Sequence, residues 1–325
     1  MKAYTVLLYY CYSPIEDPEK FREEHHQLCL SLRLNGRIIV AGEGLNGTVS
    51  GKAEDCAAYM QAVKADTRFA HTDFKIDHSD VPAFQKLHVR VKPEIVHSGF
   101  GHVDPTKRTG IHLTPSEFKK MKEEEGVVVL DVRSNYEHGV GKFKNAVTLD
   151  IENFRDLPEK IEELEKYKGK KILTYCTGGI KCEKASAYLL EQGFSDVYQL
   201  HGGIIKYGIE EGGQDFEGKC YVFDNRIAIE VNTVNPTVIS ACFLCGTFSD
   251  RMVNCANPEC NQHVPICEKC GWEMEGACSD ACRTHPQKRS YDGTGYYAKN
   301  SNGYNPYLNA KRLGKIKGDS VQIAK

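Results

Sequence analysis

A cysteine, two glycines and a lysine fall within one six-residue stretch, Cys176-Thr177-Gly178-Gly179-Ile180-Lys181. The apolar run Lys171 to Thr174 ahead of it predicts a buried strand, and the spacing of Ala185, Tyr188, Leu189 and Leu190 behind it predicts a helix. A cysteine on a strand-to-helix turn meets free backbone N–H groups and the positive end of the helix dipole. Both favour the thiolate, so Cys176 reads as a nucleophile with a lowered pKa. Gly178 and Gly179 let the loop curl with its amides inward, and Lys181 closes it with a positive charge. The bland alternative, a buried packing thiol, fits this setting poorly, because core cysteines rarely sit in a glycine loop at a helix N-terminus.

Eight more cysteines carry a different chemistry. They form four pairs, Cys242/Cys245, Cys255/Cys260, Cys267/Cys270 and Cys278/Cys282, within 41 residues. Eight thiolates satisfy two tetrahedral Zn(Cys)₄ sites, which stabilise segments too small to build a core. The first and third pairs are both Cys-x-x-Cys-Gly knuckles at zinc-ribbon separation, which favours cross-braced sites, first pair with third and second with fourth. Sequential pairing satisfies the same count. With four thiolates each, the sites have no open position and are expected to be structural, and His263 and His285 are left without a vacancy.

Two basic stretches invite a polyanion. Lys86, His88, Arg90 and Lys92 alternate along one strand and share a face, which suits either a solvated sheet surface or a phosphate-binding one. Residues 283–325 carry nine Lys/Arg against two Asp/Glu, a formal +7 that leaves −9 elsewhere in a chain of net charge −2. From His285 onward, cations such as Arg289 are interleaved with Tyr291, Tyr296, Tyr297, Tyr304 and Tyr307. Charge for phosphates and rings for unstacked bases suit single-stranded RNA. A solvated tail, too poor in apolar residues to fold alone, is the alternative.

These groups need a scaffold, and 325 residues at 41% hydrophobic provide for two or three cored domains. No apolar run approaches a membrane span and no signal-peptide pattern opens the chain, so a reducing cytoplasm is expected. There, 14 cysteines argue for metal and redox chemistry over disulfides. Residues 1–97 read as strand Val6–Tyr10, helix Pro18–Leu34, strands Arg37–Ala41 and Asn46–Ser50, helix Ala53–Val63, then strands Phe74–Ile76 and Leu87–Val91. This β-α-β-β-α-β order is the ferredoxin-like sandwich of acylphosphatase-like domains. Gly42 to Gly47 opens no helix and reads as a hairpin turn. Cys11, Cys29 and Cys56 lack metal-ligand spacing and read as packing residues. Residues 98–112 read as a linker, 113–213 as an α/β domain opened by Thr114 and Pro115 at a helix start, 214–285 as the cysteine-rich segment and 286–325 as the basic tail.

The loop from Cys176 to Lys181 resembles the active-site loop of the rhodanese family, one residue shorter than the similar loops of phosphatases and arsenate reductases. Further rhodanese landmarks stand in order. Strand Val127–Leu130 runs into Asp131-Val132-Arg133, whose Asp131 and Arg133 are read as supporting residues. Tyr136 to Gly139, Gly141 to Ala146, Gly193-Phe194, the strand Val197–Leu200 and the turn Gly202-Gly203 follow.

An acylphosphatase-like domain, then a rhodanese domain bearing Tyr175-Cys176-Thr177-Gly178-Gly179-Ile180-Lys181-Cys182-Glu183-Lys184-Ala185-Ser186, then eight cysteines together resemble the bacterial tRNA uridine hydroxylase family over about residues 4–285. The resemblance implies oxygen-dependent formation of 5-hydroxyuridine at the wobble position of tRNA, with the anticodon loop as partner and Cys176 as the catalytic residue. The family more often has Arg at Lys181, so the charge is kept and the bidentate fork is lost.

No haem, flavin, non-haem iron or nucleotide signature appears. Thiolate addition to uracil C6 would turn C5 into an enolate carbon able to meet molecular oxygen. A persulfide on Cys176, acting in a sulfurtransferase with Cys182 or Cys220 as relay, is the competing expectation. A non-catalytic adaptor is disfavoured by the intact loop.

Overall fold

The computed structural model describes residues 2–293 and Gly295, and the chain divides into two units, Met1–Thr237 and Val238–Lys325. The first unit opens with β1 (Tyr4–Tyr12), α1 (Pro18–Ser31), β2 (Asn35–Ala41), β3 (Gly44–Gly51), α2 (Ala53–Ala65), β4 (Lys75–Ser79) and β5 (Leu87–Val91). The sheet order β4-β1-β3-β2 is the expected antiparallel sandwich, and β5 adds a fifth strand parallel to β2. Asp17 caps α1 by accepting the Lys20 N–H at 3.0 Å, with Pro18 in the first turn. The helix stops at Ser31, short of the expected Leu34, because Arg33 adopts a left-handed φ of 53°.

Alternation along β1 decides what the sheet touches. Leu7 and Tyr9 face the helices and join a core with Cys29, Ile38, Val40, Val49, Cys56 and Tyr59. Val6, Leu8, Tyr10 and Tyr12 point the other way. On β5, Leu87, Val89 and Val91 pack on the helix-side core, while Lys86, His88, Arg90 and Lys92 lie on the opposite, solvent-facing side of the strand.

The rest of the first unit contains β6 (Ile111–Leu113), α3 (Pro115–Met121), β7 (Val128–Asp131), α4 (Asn135–His138), β8 (Gly141–Phe143), β9 (Val147–Thr148) and α5 (Ile161–Leu164). It continues through β10 (Ile172–Tyr175), α6 (Ile180–Glu191), β11 (Val197–Leu200), α7 (Gly203–Glu211), β12 (Phe216–Gly218), β13 (Cys220–Tyr221) and β14 (Ala228–Ile229). Five parallel strands run in the order β6-β11-β10-β7-β9. One face packs on Phe118 of α3 and on Ile204, Ile205 and Tyr207 of α7. The other packs on Ala185, Tyr188 and Leu189 of α6. Parallel strands covered on both sides read as continuous apolar runs, which is why β7 and β10 are visible in the sequence. Thr114 and Glu117 form the capping box of α3.

Two stretches lie differently from their sequence assignments. Residues 98–112 are anchored: Phe100 and Val103 are buried in the core beside Tyr188, and β6 forms the sheet edge against β11. Residues 214–237 belong to the first unit, where β12 pairs with β8 and β13 with β14. Strands of two or three residues carry too little periodicity to be seen.

The second unit holds the hairpin β15 (Met252–Asn254) and β16 (His263–Pro265), then α8 (Glu268–Glu273) and α9 (Asp280–Arg283). Its core is mostly sulfur, with Val253, Val264, Ile266 and Ala277 among Cys242, Cys255, Cys270, Cys278 and Cys282. The start of the tail is packed on it: Tyr291 meets Trp272 edge-on at 5.1 Å, and the Arg251 guanidinium donates to the Tyr291 hydroxyl. Tyr296, Tyr297, Tyr304 and Tyr307 lie outside the described residues.

Candidate active site

β10 is buried along its whole length and delivers Cys176 to the turn before α6. Two N–H groups of α7 fix the loop from below: Ile204 donates to the Cys176 carbonyl at 2.9 Å and Ile205 to that of Thr177 at 3.1 Å. Gly203 makes this approach possible. A Cβ there would lie 2.5 Å from the Cys176 oxygen, at a φ of +66°. The helix begins at Ile180, inside the six-residue stretch, so Lys181 and Cys182 occupy its first turn.

The Cys176 sulfur accepts the Gly179 N–H at 3.2 Å. Burial pushes the thiol up, but a side-chain hydrogen bond with Cys182, the Lys181 charge and the N–H groups of Cys182 and Gly179 outweigh it. The result is a pKa lowered to about 7. Cys182 moves the opposite way, raised well above its ordinary value by burial and by the hydrogen bond with Cys176. Lys181 is itself held by Glu137, 2.5 Å from its ammonium, and stacks over the Phe223 ring at 5.4 Å. Asp131 and Arg133 form a fully buried pair at 2.6 Å, with Arg133 also donating to the Gly141 carbonyl at 2.7 Å. They brace the end of β7.

The N-terminal sheet covers this loop. Leu8 lies against Gly178, where a Cβ would come within 2.7 Å of it, and Tyr10 lies against Gly179, where a Cβ would meet the hydroxyl at 3.0 Å. The loop glycines therefore admit β1 as well as curling the backbone. The Tyr10 hydroxyl donates to Glu183 at 2.8 Å, and Glu183 also bonds His112 at 2.9 Å and Gln199 at 3.1 Å. Lys75 sits over the Tyr10 ring at 4.8 Å, and its neighbour Asp73 takes His201 and Lys206, each at 3.1 Å. Cys176 is consequently 1% exposed. Sequence reasoning missed Leu8, Tyr10, Lys75, Glu137 and Glu183. The one available signal was β1 itself, apolar on both alternating faces, as for a strand covered on both sides.

The basic strand reaches towards the loop through named contacts. Arg37 of β2 is registered opposite His88, donates to the Phe223 carbonyl at 3.2 Å, and lies close enough to Arg90 for their charges to interact. Phe223 is exposed, and its ring also packs on Tyr221 at 5.3 Å. Arg289 behaves differently from a free RNA contact. Its guanidinium donates to the Ala256 carbonyl at 3.1 Å and to Asn261 at 2.8 Å, tying the chain after the last cysteine to the cysteine unit.

In the second unit the cysteines group as Cys242, Cys245, Cys267, Cys270 and as Cys255, Cys260, Cys278, Cys282, the cross-braced arrangement. The sulfurs of each group lie within 4.8 Å of one another. Contacts of 3.8 Å for Cys245–Cys267, 3.7 Å for Cys260–Cys278 and 3.9 Å for Cys278–Cys282 match the edge of about 3.8 Å that a tetrahedral Zn–S site requires. The donor sets fit a structural zinc ion in each group.

Comparison with known proteins covers the chain in three consecutive stretches. The UPF0176 acylphosphatase like domain matches residues 4–95, the Rhodanese-like domain residues 114–210, and the Rhodanase C-terminal description residues 217–283. A tRNA uridine(34) hydroxylase of Cytophaga hutchinsonii is 70% identical over 312 residues, 96% of this chain and 100% of its own length. A protein of the same name from Enterococcus faecalis is 50% identical over 290 residues, 88% of this chain and 92% of its own.

The electrostatics of the loop are open to a direct test. Alkylation of Cys176, followed on its own peptide by mass spectrometry, is expected to rise with pH through a midpoint at about 7. Lys181→Ala removes a charge that favours the thiolate and should move the midpoint up, while Lys181→Arg should leave it in place. An unchanged midpoint in Lys181→Ala would rule out the charge effect.

Proposed function

The chain belongs to the tRNA uridine(34) hydroxylase family, and we propose that it converts the wobble uridine of tRNA to 5-hydroxyuridine, using molecular oxygen and Cys176 as nucleophile. The observation that carries this reading is a buried thiol brought to a pKa of about 7 by a lysine, a neighbouring thiol and two amides. At neutral pH such a group is substantially thiolate and strongly nucleophilic.

Addition of the Cys176 thiolate to C6 of uracil places an enolate at C5, the carbon that must react with oxygen. Elimination of the cysteine after oxygenation restores the C5–C6 double bond. The wobble base already lies in a single-stranded loop, so presenting it costs less unstacking than in a duplex. Leu8 and Tyr10 cover the cysteine, so a base reaches it only when β1 draws back from the loop.

The anticodon loop is held, in this proposal, by the strand face of Lys86, His88, Arg90 and Lys92. Arg37 carries the positive charge on to Phe223 and Lys181 beside the loop. Phosphates supply most of the affinity and an exposed ring offers a stacking surface for a flanking base. The enzyme is proposed to act in the cytoplasm; no described helix is long and apolar enough to cross a membrane. Two zinc ions are proposed to hold the second unit. Apparent binding energies of about 10–16 kcal/mol per structural zinc far exceed what a four-residue aliphatic core supplies.

Cells carrying only Cys176→Ala should contain no 5-hydroxyuridine in bulk tRNA, while the purified variant still binds tRNA. Full modification would refute the catalytic assignment. Thiosulfate:cyanide turnover without any nucleoside change would favour the sulfurtransferase.

Arg90→Glu should weaken tRNA binding. Removing residues 296–325, which hold six Lys/Arg, should lower the slope of log K against log salt by about one unit for each phosphate no longer neutralised. Identical salt slopes in the full-length and shortened proteins would place the RNA surface elsewhere.

Purified protein should hold about two zinc per chain for its eight ligating thiolates. Cys242→Ser and Cys267→Ser should each cost roughly the same single ion, and Cys255→Ser and Cys278→Ser the other. One zinc or none in reduced protein would contradict the two-site reading.

A further inference from the structure

Cys182 forms no bond in the chemistry above, yet it is fully buried in the same core cluster as the nucleophile. Its N–H donates to the Gly179 carbonyl at 3.1 Å, Gly179 in turn donates its own N–H to the Cys176 sulfur at 3.2 Å, and the two cysteines share one buried core cluster. The other thiol near the loop, Cys220, is directed elsewhere. It donates to the Tyr221 carbonyl at 3.7 Å and packs in the core cluster on the other face of the sheet. Of the two thiols, Cys182 and not Cys220 therefore shares the core cluster of Cys176.

Hydroxylation by molecular oxygen has an electron count to satisfy. Reducing O₂ to one hydroxyl and one water takes four electrons. Oxidation of C5–H to C5–OH supplies two. Two more must come from a reductant, and two thiols closing to a disulfide release two electrons and two protons.

We infer that Cys176 and Cys182 are that reductant, closing to a disulfide in each turnover, which an external thiol then reopens. The inference rests on the hydroxylase reading of the preceding subsection. The steps balance. Cys176 adds to C6, and the C5 enolate takes up O₂ and a proton to give a C5 hydroperoxide. The Cys182 sulfur attacks the outer oxygen and the O–O bond breaks. The inner oxygen keeps the bonding pair and takes the thiol proton, leaving C5–OH and a Cys182 sulfenic acid. Loss of the C5 proton to water expels Cys176 from C6 as thiolate, with 5-hydroxyuridine as product. That thiolate attacks the sulfenic sulfur and displaces hydroxide, which becomes water with the released proton. The sum is uridine, O₂ and two thiols giving 5-hydroxyuridine, water and one disulfide.

The local chemistry assigns the two roles. Cys176, nearer its thiolate form, makes the first attack, whereas Cys182 keeps its proton for transfer to the alkoxide. Both residues are buried in the same core cluster, and closing the bond brings their sulfurs to about 2.05 Å.

The test is a single turnover of the whole protein, reduced and desalted under nitrogen, mixed with tRNA lacking 5-hydroxyuridine, then exposed to oxygen without added thiol. Wild type is expected to make at most one 5-hydroxyuridine per chain and to stop, with a matching amount of Cys176–Cys182-linked peptide. Dithiothreitol should restart it. Cys182→Ser is expected to yield on the order of tenfold less under these conditions and to recover partly with added small thiols, while Cys220→Ser behaves as wild type. A wild-type yield with both thiols still free to alkylation would overturn the inference without recourse to any variant. So would a full yield from Cys182→Ser without added thiol. If wild type makes no 5-hydroxyuridine even with dithiothreitol and oxygen present, the hydroxylase reading fails and the inference falls with it.

Discussion

The contact on which the site depends is the seating of Leu8 and Tyr10 on the two loop glycines. It removes Cys176 from water, which by itself opposes the thiolate. The same removal strengthens the Lys181 charge and the amide hydrogen bonds, because each acts through a lower dielectric. These interactions prevail over the desolvation cost. A Cβ at Gly178 would lie 2.7 Å from a Leu8 methyl, so the Leu8 side chain would have to shift off the loop.

Polar ties hold the sheet on the loop. Lys184, fully buried on α6, is bonded to Glu43 in the β2–β3 turn at 2.8 Å and lies 3.6 Å from Glu94. It also donates to the Val103 carbonyl at 3.0 Å. Such an arrangement contributes little net stability against an apolar equivalent, but losing one partner strands a buried charge at a cost of about 3–5 kcal/mol. Its effect is to fix register, since apolar packing tolerates sliding and this cluster does not. Arg226 makes a second tie, with Asp77 of β4 and with Asp224.

The catalytic loop was legible because its meaning is local: a thiol, two glycines and a lysine announce a strand-to-helix turn without reference to anything distant. The cysteine pairs were legible for the same reason, and their cross-bracing followed from the repeated knuckle. Leu8, Tyr10 and Glu183 were hidden because their importance comes from pairings far apart in the chain, with 173 positions separating Tyr10 from Glu183. Glu137 stood only inside the landmark stretch Tyr136 to Gly139; in the fold it caps α4 and is also the partner of Lys181. Arg289 was read for RNA as a cation interleaved with tyrosines, whereas in the fold its guanidinium donates to the Ala256 carbonyl and the Asn261 side chain.

The interleaving of the two cysteine groups has a bearing on biosynthesis. The four sulfurs that emerge first from the ribosome, at positions 242, 245, 255 and 260, belong to different final sites, yet together they already make a complete set of four thiolates. A metal captured at that moment would lock in the wrong partners until Cys267 and Cys270 compete for it. Correct assembly thus depends on ligand exchange outrunning the burial of a premature complex. Interleaving also means that the stretch of chain spanned by either group of four encloses two cysteines of the other.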